Sequence, residues 1–144
     1  MGKYVYIEGK RRFTDLEGNP VNIERATTKS AGYDLCAAKE VFVKPNSMML
    51  VPTGVKAVMA DNEFLMLAPR SSLAIKRNLI LKNIIGIIDA DYDEEIFVAL
   101  WNRGKQIEYI NKGDRIAQGI FMNYLTTGDS PTTIRKGGIG STGR

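Results

Sequence analysis

Residues 86–104 read Gly86-Ile87-Ile88-Asp89-Ala90-Asp91-Tyr92-Asp93-Glu94-Glu95-Ile96-Phe97-Val98-Ala99-Leu100-Trp101-Asn102-Arg103-Gly104. A short apolar run leads into a block in which five of seven residues are carboxylates, and a second apolar run ends at an Asn-Arg-Gly turn. Runs of this length suit strands and are too short to span a membrane. Ile96 to Trp101 is apolar at every position, as a central strand between two sheets or a strand at a subunit contact would be.

The same rhythm extends in both directions. Turn formers recur at intervals of roughly ten residues: Glu17-Gly18-Asn19-Pro20, Pro45-Asn46-Ser47, Pro52-Thr53-Gly54, Asp61-Asn62, Asn111-Lys112-Gly113 and Gly128-Asp129-Ser130-Pro131. Between them lie segments rich in Val, Ile, Phe, Tyr and Met. Val55, Ala57 and Met59 alternate about Lys56 as a half-buried strand, and Gly104 and Gly113 bracket a further strand containing Ile107 and Tyr109. Only Ser71 to Asn78 reads as helical, for two turns at most. The pattern predicts an all-β sandwich or barrel with at most one short helix. Residues 1–125 read as its core, and 126–144, where Gly, Ser, Thr and Pro take over, as an arm.

Composition narrows the chemistry. The chain has 144 residues, 44% of them hydrophobic, enough for one domain with a proper core. Met1 to Lys10 carries no apolar signal core and position 6 is Tyr where a myristoylation signal needs Ser or Thr, so the expected setting is cytoplasmic, or host cytoplasm for a viral gene. There is no histidine and one cysteine, Cys36, most simply a small buried apolar residue. Zinc-hydrolase, Ser–His and Cys–His chemistry are thereby excluded. Acid–base work falls to carboxylates, with magnesium the natural metal. The net charge of +4 comes from scattered residues, which suits a small polyanion better than nucleic acid.

Several blocks could carry that chemistry. Asp89 follows Ile87 and Ile88, which places it at a strand end beside the core as a partly desolvated general base; the bland alternative is a solvated acidic turn. Tyr92 could lay its ring against a ligand ring. Arg70-Ser71-Ser72 offers a guanidinium and two hydroxyls, suited equally to a phosphate contact or a helix N-cap. Gly113-Asp114-Arg115-Ile116-Ala117-Gln118 enters a strand from a turn, and Asp34 lies among small and apolar residues. Finally, Arg135-Lys136-Gly137-Gly138-Ile139-Gly140-Ser141-Thr142-Gly143-Arg144 combines glycine, hydroxyl and cation, the composition of a phosphate-holding lid.

In order and spacing these blocks resemble the five motifs of the homotrimeric dUTPases: Ala31-Gly32-Tyr33-Asp34-Leu35, Pro69-Arg70-Ser71-Ser72-Leu73-Ala74, Gly86-Ile87-Ile88-Asp89-Ala90-Asp91-Tyr92, Lys112-Gly113-Asp114-Arg115-Ile116-Ala117-Gln118 and Gly137-Gly138-Ile139-Gly140-Ser141-Thr142-Gly143. The resemblance implies a jelly-roll β-sandwich or distorted barrel, a homotrimer with sites at subunit boundaries, and magnesium-dependent hydrolysis of dUTP to dUMP and pyrophosphate. Such a reaction limits uracil incorporation into DNA and supplies dUMP for thymidylate synthesis. By the same resemblance Asp89 activates water, and Tyr92 packs under the deoxyribose. Asn83, Gly86 and Ile88 lie on the hairpin that reads uracil. Arg70, Ser71, Ser72 and Gln118 contact phosphates, and Asp34 holds a magnesium-bound water. Arg135, Ile139, Gly140 and Ser141 close over the nucleotide. It implies neither a nucleic-acid nor a membrane partner.

Three departures accompany it. Ile139 replaces a stacking phenylalanine, Glu94 stands where glycine is common, and Arg135 lies one residue nearer the glycines than usual. Two rival readings use the same scaffold. A dCTP deaminase needs a glutamate on the strand after the acidic hairpin, where Ile96 to Trp101 has no ionisable group; a non-hydrolytic nucleotide sensor would have no need of Asp89.

Overall fold

The computed structural model describes residues 11–128 and 131–139. Twelve strands and one helix follow in order: β1 Arg12–Thr14, β2 Pro20–Val21, β3 Tyr33–Cys36, β4 Val41–Val43, β5 Met48–Pro52, β6 Lys56–Val58, β7 Glu63–Ala68, α1 Ser71–Arg77, β8 Leu79–Leu81, β9 Gly86–Asp89, β10 Phe97–Asn102, β11 Glu108–Ile110 and β12 Arg115–Asn123. They pair as four antiparallel sheets, β2-β1-β6, β5-β10-β8, β11-β4 and β3-β12-β7-β9, with no closed barrel among the described residues.

The core lies in two parts between these layers. One gathers Val43, Val51, Leu79, Leu81, Val98, Leu100 and Ile110; the other gathers Phe13, Leu35, Ala57, Leu65, Leu67 and Ile96. β10 is central in its sheet, as its doubly apolar sequence predicts, but its two faces differ. Val98 and Leu100 enter the core, whereas Phe97, Ala99 and Trp101 form a partly exposed outer face. Each fully buried Leu or Ile contributes about 1.5–3 kcal/mol relative to an exposed one.

Helix α1 has the predicted length. It ends because Asn78 adopts the left-handed conformation, with φ 54°, which asparagine tolerates better than most residues. Its N-cap is Arg70, in extended conformation and without a side-chain cap, so Ser71 and Ser72 keep their hydroxyls exposed. The capping alternative for this segment therefore fails. Cys36 also departs from expectation: it is half-buried, in a cleft beside Asp34 and Arg115, and burial followed by the nearby Asp34 charge pushes its thiol pKa up.

Two local devices set the functional edge. A bulge in β12 between Arg115 and Ala117 lets consecutive residues Ile116 and Ala117 both face the core, after which Gln118 falls opposite Asp34. Asn102 is fully buried where β10 ends. Its amide donates to the Val43 carbonyl at 2.9 Å and the Gln106 carbonyl at 2.7 Å, and its Oδ1 accepts from the Gly104 amide at 2.8 Å. Asn102→Ala orphans those backbone groups, so it is expected to cost about 2–4 kcal/mol. Thermal melting would show a drop of roughly 8 °C or more.

Candidate active site

β9 carries Asp89 to its last position, opposite Phe64 of β7. The chain then turns sharply, with the Tyr92 amide donating to the Asp89 carbonyl at 3.0 Å. That turn folds Tyr92 back beneath the hairpin, where it is buried and its hydroxyl donates to the Glu95 carbonyl at 2.7 Å. Burial, and after it the charge of Glu94, pushes the phenol pKa up, so Tyr92 stays neutral and presents a fixed flat surface. Asp89 ends the strand with its side chain 52% exposed, half covered and half open to water. The backbone turns away from the core at the residue where the strand stops.

The described part of the arm lies against this hairpin. Arg135 places Nε 2.8 Å from Asp91 Oδ1 and Nη2 2.5 Å from Asp89 Oδ2. Its guanidinium carbon sits 5.7 Å from the centre of the Tyr92 ring. The hydrogen bond to Asp91 is the largest influence raising the guanidinium pKa, with Asp89 adding to it; Arg135 is always charged here. Gly138 approaches so closely that a Cβ there would lie 3.3 Å from Glu94 Cγ and 3.8 Å from Tyr92 Cε1. The departure at Glu94 thus forms part of the surface on which the arm rests.

Between arm and hairpin is a pocket of about 430 Å³, within the range usual for small-molecule sites. It brings together Asn83, Gly86, Ile88, Asp89, Tyr92, Arg135 and Ile139. Leu50, Leu67, Phe97 and Ala99 supply its apolar walls, and Lys82 its rim. Motif reading missed these five. Leu50 and Leu67 carry no local signal because sheet packing alone brings them there, and the only signal that could have found Lys82 is its place beside Asn83.

A second cluster gathers at the other end of β7. Asp34 on β3 has Arg70 Nε at 3.5 Å and Arg115 Nη1 at 3.7 Å. Gln118 on β12 faces Asp34 and donates to the Pro69 carbonyl at 3.1 Å. Gly32 permits this arrangement, since a Cβ there would come within 2.4 Å of Gln118 Oε1. Ser71 and Ser72 are exposed beside it. Gln118 pairs with Ala68 and Asp89 with Phe64, so the clusters are offset by four residues, roughly 13 Å along β7. A single chain therefore does not bring all the candidate residues into one site. Gly140 and Ser141 lie outside the described residues.

Fold and cleft define a class: an all-β jelly roll whose acidic hairpin and basic arm enclose a pocket lined by both carboxylate and cationic side chains. Residues 20–143 match the family model described as dUTPase. The chain is 40% identical over 147 residues to the deoxyuridine 5'-triphosphate nucleotidohydrolase of Lactococcus lactis subsp. lactis, a match covering 95% of this chain and 98% of that relative. The enzyme of the same name from Buchnera aphidicola subsp. Schizaphis graminum is 41% identical over 128 residues, 82% of this chain and 80% of the relative. The crystal structure of dUTPase from Streptococcus mutans superposes with a TM-score of 0.72 at 38% identity, over 74% of this chain and 88% of that one. A mutant dUTPase from phage phi11 of S. aureus, described with a coordinated structural Mg(II) ion, shares the fold alone at 21% identity and TM-score 0.75, covering 85% and 96% of the two chains. This chain belongs to the dUTPase family.

Arg135 holds the arm to the hairpin through two exposed carboxylates, so the arm's hold is weak and salt-sensitive. Asp91→Asn removes the charge behind its largest influence. Hydrogen exchange at residues 131–139 is expected to quicken a few-fold at low salt and to match wild type at high salt.

Proposed function

We propose that this protein hydrolyses dUTP to dUMP and pyrophosphate, with Asp89 as general base. The observation that carries the reading is the meeting of Asp89, buried Tyr92 and the Arg135 guanidinium at one pocket. A water held by the Asp89 carboxylate gives up a proton to it as its oxygen bonds to the α-phosphorus. The bond from that phosphorus to the α,β-bridging oxygen breaks, and pyrophosphate leaves with the electron pair. Half-exposure suits Asp89 to this task, because its water can be replenished from bulk solvent. Tyr92 would pack under the deoxyribose, where burial leaves no allowance for an extra hydroxyl. Asn83, Gly86 and Ile88 would hold the uracil, capped by aliphatic Ile139.

Arg135 would exchange its carboxylate partners for phosphate oxygens when substrate enters. Arg70, Ser71, Ser72 and Gln118 form the other phosphate-binding group. Their offset from Asp89, and the exposed apolar side chains Phe42, Met49, Ile87 and Tyr109, support assembly as a homotrimer in which different subunits supply the two clusters. Within that assembly we read 1–125 as the core and 126–144 as the arm that closes a site, with Gly140 and Ser141 contributing to closure.

The donor set suits magnesium. No three carboxylate, cysteine or histidine side chains converge among the described residues, and magnesium usually keeps its waters and binds through substrate phosphates. Asp34, between Arg70 and Arg115, could accept a hydrogen bond from a metal-bound water. When bound, the ion would neutralise phosphate charge. No helix among the described residues is long and apolar enough to cross a membrane, in keeping with a cytoplasmic enzyme acting on a free nucleotide.

Deamination fits poorly. The residues of β10 that reach the pocket are Phe97 and Ala99, neither able to move a proton, and Glu95 is spent on the Gly54 amide at 2.8 Å.

Pyrophosphate release from dUTP, set beside ammonia release from dCTP, tests the reading directly. Asp89→Asn should lower kcat by about 10²–10⁴-fold while calorimetry shows nucleotide binding retained; near-normal turnover would remove Asp89 from its role. Deleting residues 136–144 should cripple turnover with an unchanged melting temperature, and an undiminished rate would end the lid assignment. Chelation by EDTA should suppress turnover, and added magnesium should restore it.

A further inference from the structure

We propose that Lys82 is a specificity-determining contact for the pyrimidine base, favouring the ring carbonyl of uracil over the amino group of cytosine. The inference rests on the hydrolase reading for its substrate class. It names a residue that the family motifs quoted above do not include.

Lys82 directly follows β8, whose last residue, Leu81, is buried in the core. Its backbone amide donates to the Ala99 carbonyl at 2.8 Å, which extends the pairing of β8 with β10 by one residue. Strand alternation then sends its side chain to the outer face shared with Ile80 and Trp101. There its Nζ lies 3.8 Å from the centre of the Trp101 ring, a cation–π contact that steadies the long side chain without using up its hydrogen-bond donors. Lys82 lines the same pocket as Asn83, Asp89 and Tyr92. It makes no ion pair among the described residues, in contrast to Arg135, which is engaged by two carboxylates.

An ammonium group donates three hydrogen bonds and accepts none. Uracil presents a carbonyl oxygen where cytosine presents an amino group, and thymine keeps the carbonyl. A donor-only side chain at the pocket rim therefore rewards uracil and thymine alike and sets donor against donor for cytosine. Lys82 immediately precedes Asn83, read above as holding the uracil, and lines the pocket with it; this adjacency puts Lys82 on the nucleoside side, whereas Arg135 in the same pocket is read as turning to the phosphates.

The test compares wild type with Lys82→Met, which keeps the length and apolar body of the side chain, and with Lys82→Arg, which keeps the charge. Circular dichroism and solution mass establish that each variant folds and assembles like wild type. Calorimetric binding of dUMP and dCMP reads base preference independently of turnover. The expected result is a fall of roughly ten- to a hundredfold in the dUMP:dCMP preference of Lys82→Met, with partial recovery in Lys82→Arg. In turnover, KM for dUTP should rise with kcat nearly unchanged, and the dUTP:dTTP ratio of kcat/KM should not move. An unchanged dUMP:dCMP preference overturns the proposal. So does a loss confined to triphosphates with dUMP binding intact, which would make Lys82 a phosphate contact. Failure of wild type to release pyrophosphate from dUTP would sink the hydrolase reading, while the monophosphate comparison still decides the role of Lys82.

Discussion

The register of β7 is the constraint on which the rest of this structure depends. β7 runs between β12 and β9, its Leu65 and Leu67 buried in the core and its pairing fixed on both sides. A strand with one buried face resists slipping, because a shift of one residue would turn Leu65 and Leu67 outward. That single register determines that Gly86 meets Leu67, that Asp89 comes opposite Phe64, and that Gln118 comes opposite Ala68. Gly86 is required at the first of these places, since a Cβ would press to 3.1 Å from Leu67 Cβ. The hairpin and the Asp34–Gln118 cluster are thus held apart at opposite ends of one rigid ruler.

The acidic hairpin is an unusual wall for the phosphate-handling site proposed here, and its carboxylates have different partners. Asp89 and Asp91 face Arg135, Asp93 lies 3.5 Å from Lys56, and Glu95 holds the Gly54 amide. Glu94 meets the arm at Gly138. Only Asp89 is both half-open to water and on the pocket, so its place in the fold separates it from four chemically similar neighbours. The cations that line the pocket beside this wall, Arg135 and Lys82, come from the arm and from the residue that follows β8. Under the proposed function a neutral pocket would lack the water-activating base, and an acidic pocket without these cations would repel the substrate.

The strands were legible because turn formers and apolar segments alternate at strand spacing, and α1 because Ser71 to Asn78 alone has helical character. The bases for misreading were equally local. Cys36 reads as buried because its neighbours are small and apolar, yet it borders an open cleft with charged Arg115. Asp89 reads as partly desolvated because Ile87 and Ile88 precede it, and its side chain is half exposed, but Ile87 itself is exposed and not part of the core that the reading leaned on. Strand-end residues follow the direction of the backbone, which neighbouring residue types do not reveal.

The sequence by itself determined the all-β class, the motifs and their order, and the exclusion of zinc-hydrolase, Ser–His and Cys–His chemistry, since these depend on residue type and spacing along the chain. Tertiary structure alone decided which motif residues meet. Asp89, Tyr92 and Arg135 converge although 46 positions separate the first and last, whereas Asp34 and Gln118 lie at the far end of the same sheet. It also brought Lys82, silent as a motif, to the pocket rim beside Trp101. The physical reason is that pairing register and strand alternation set distances between residues remote in the chain, and both are fixed by burial of the whole core.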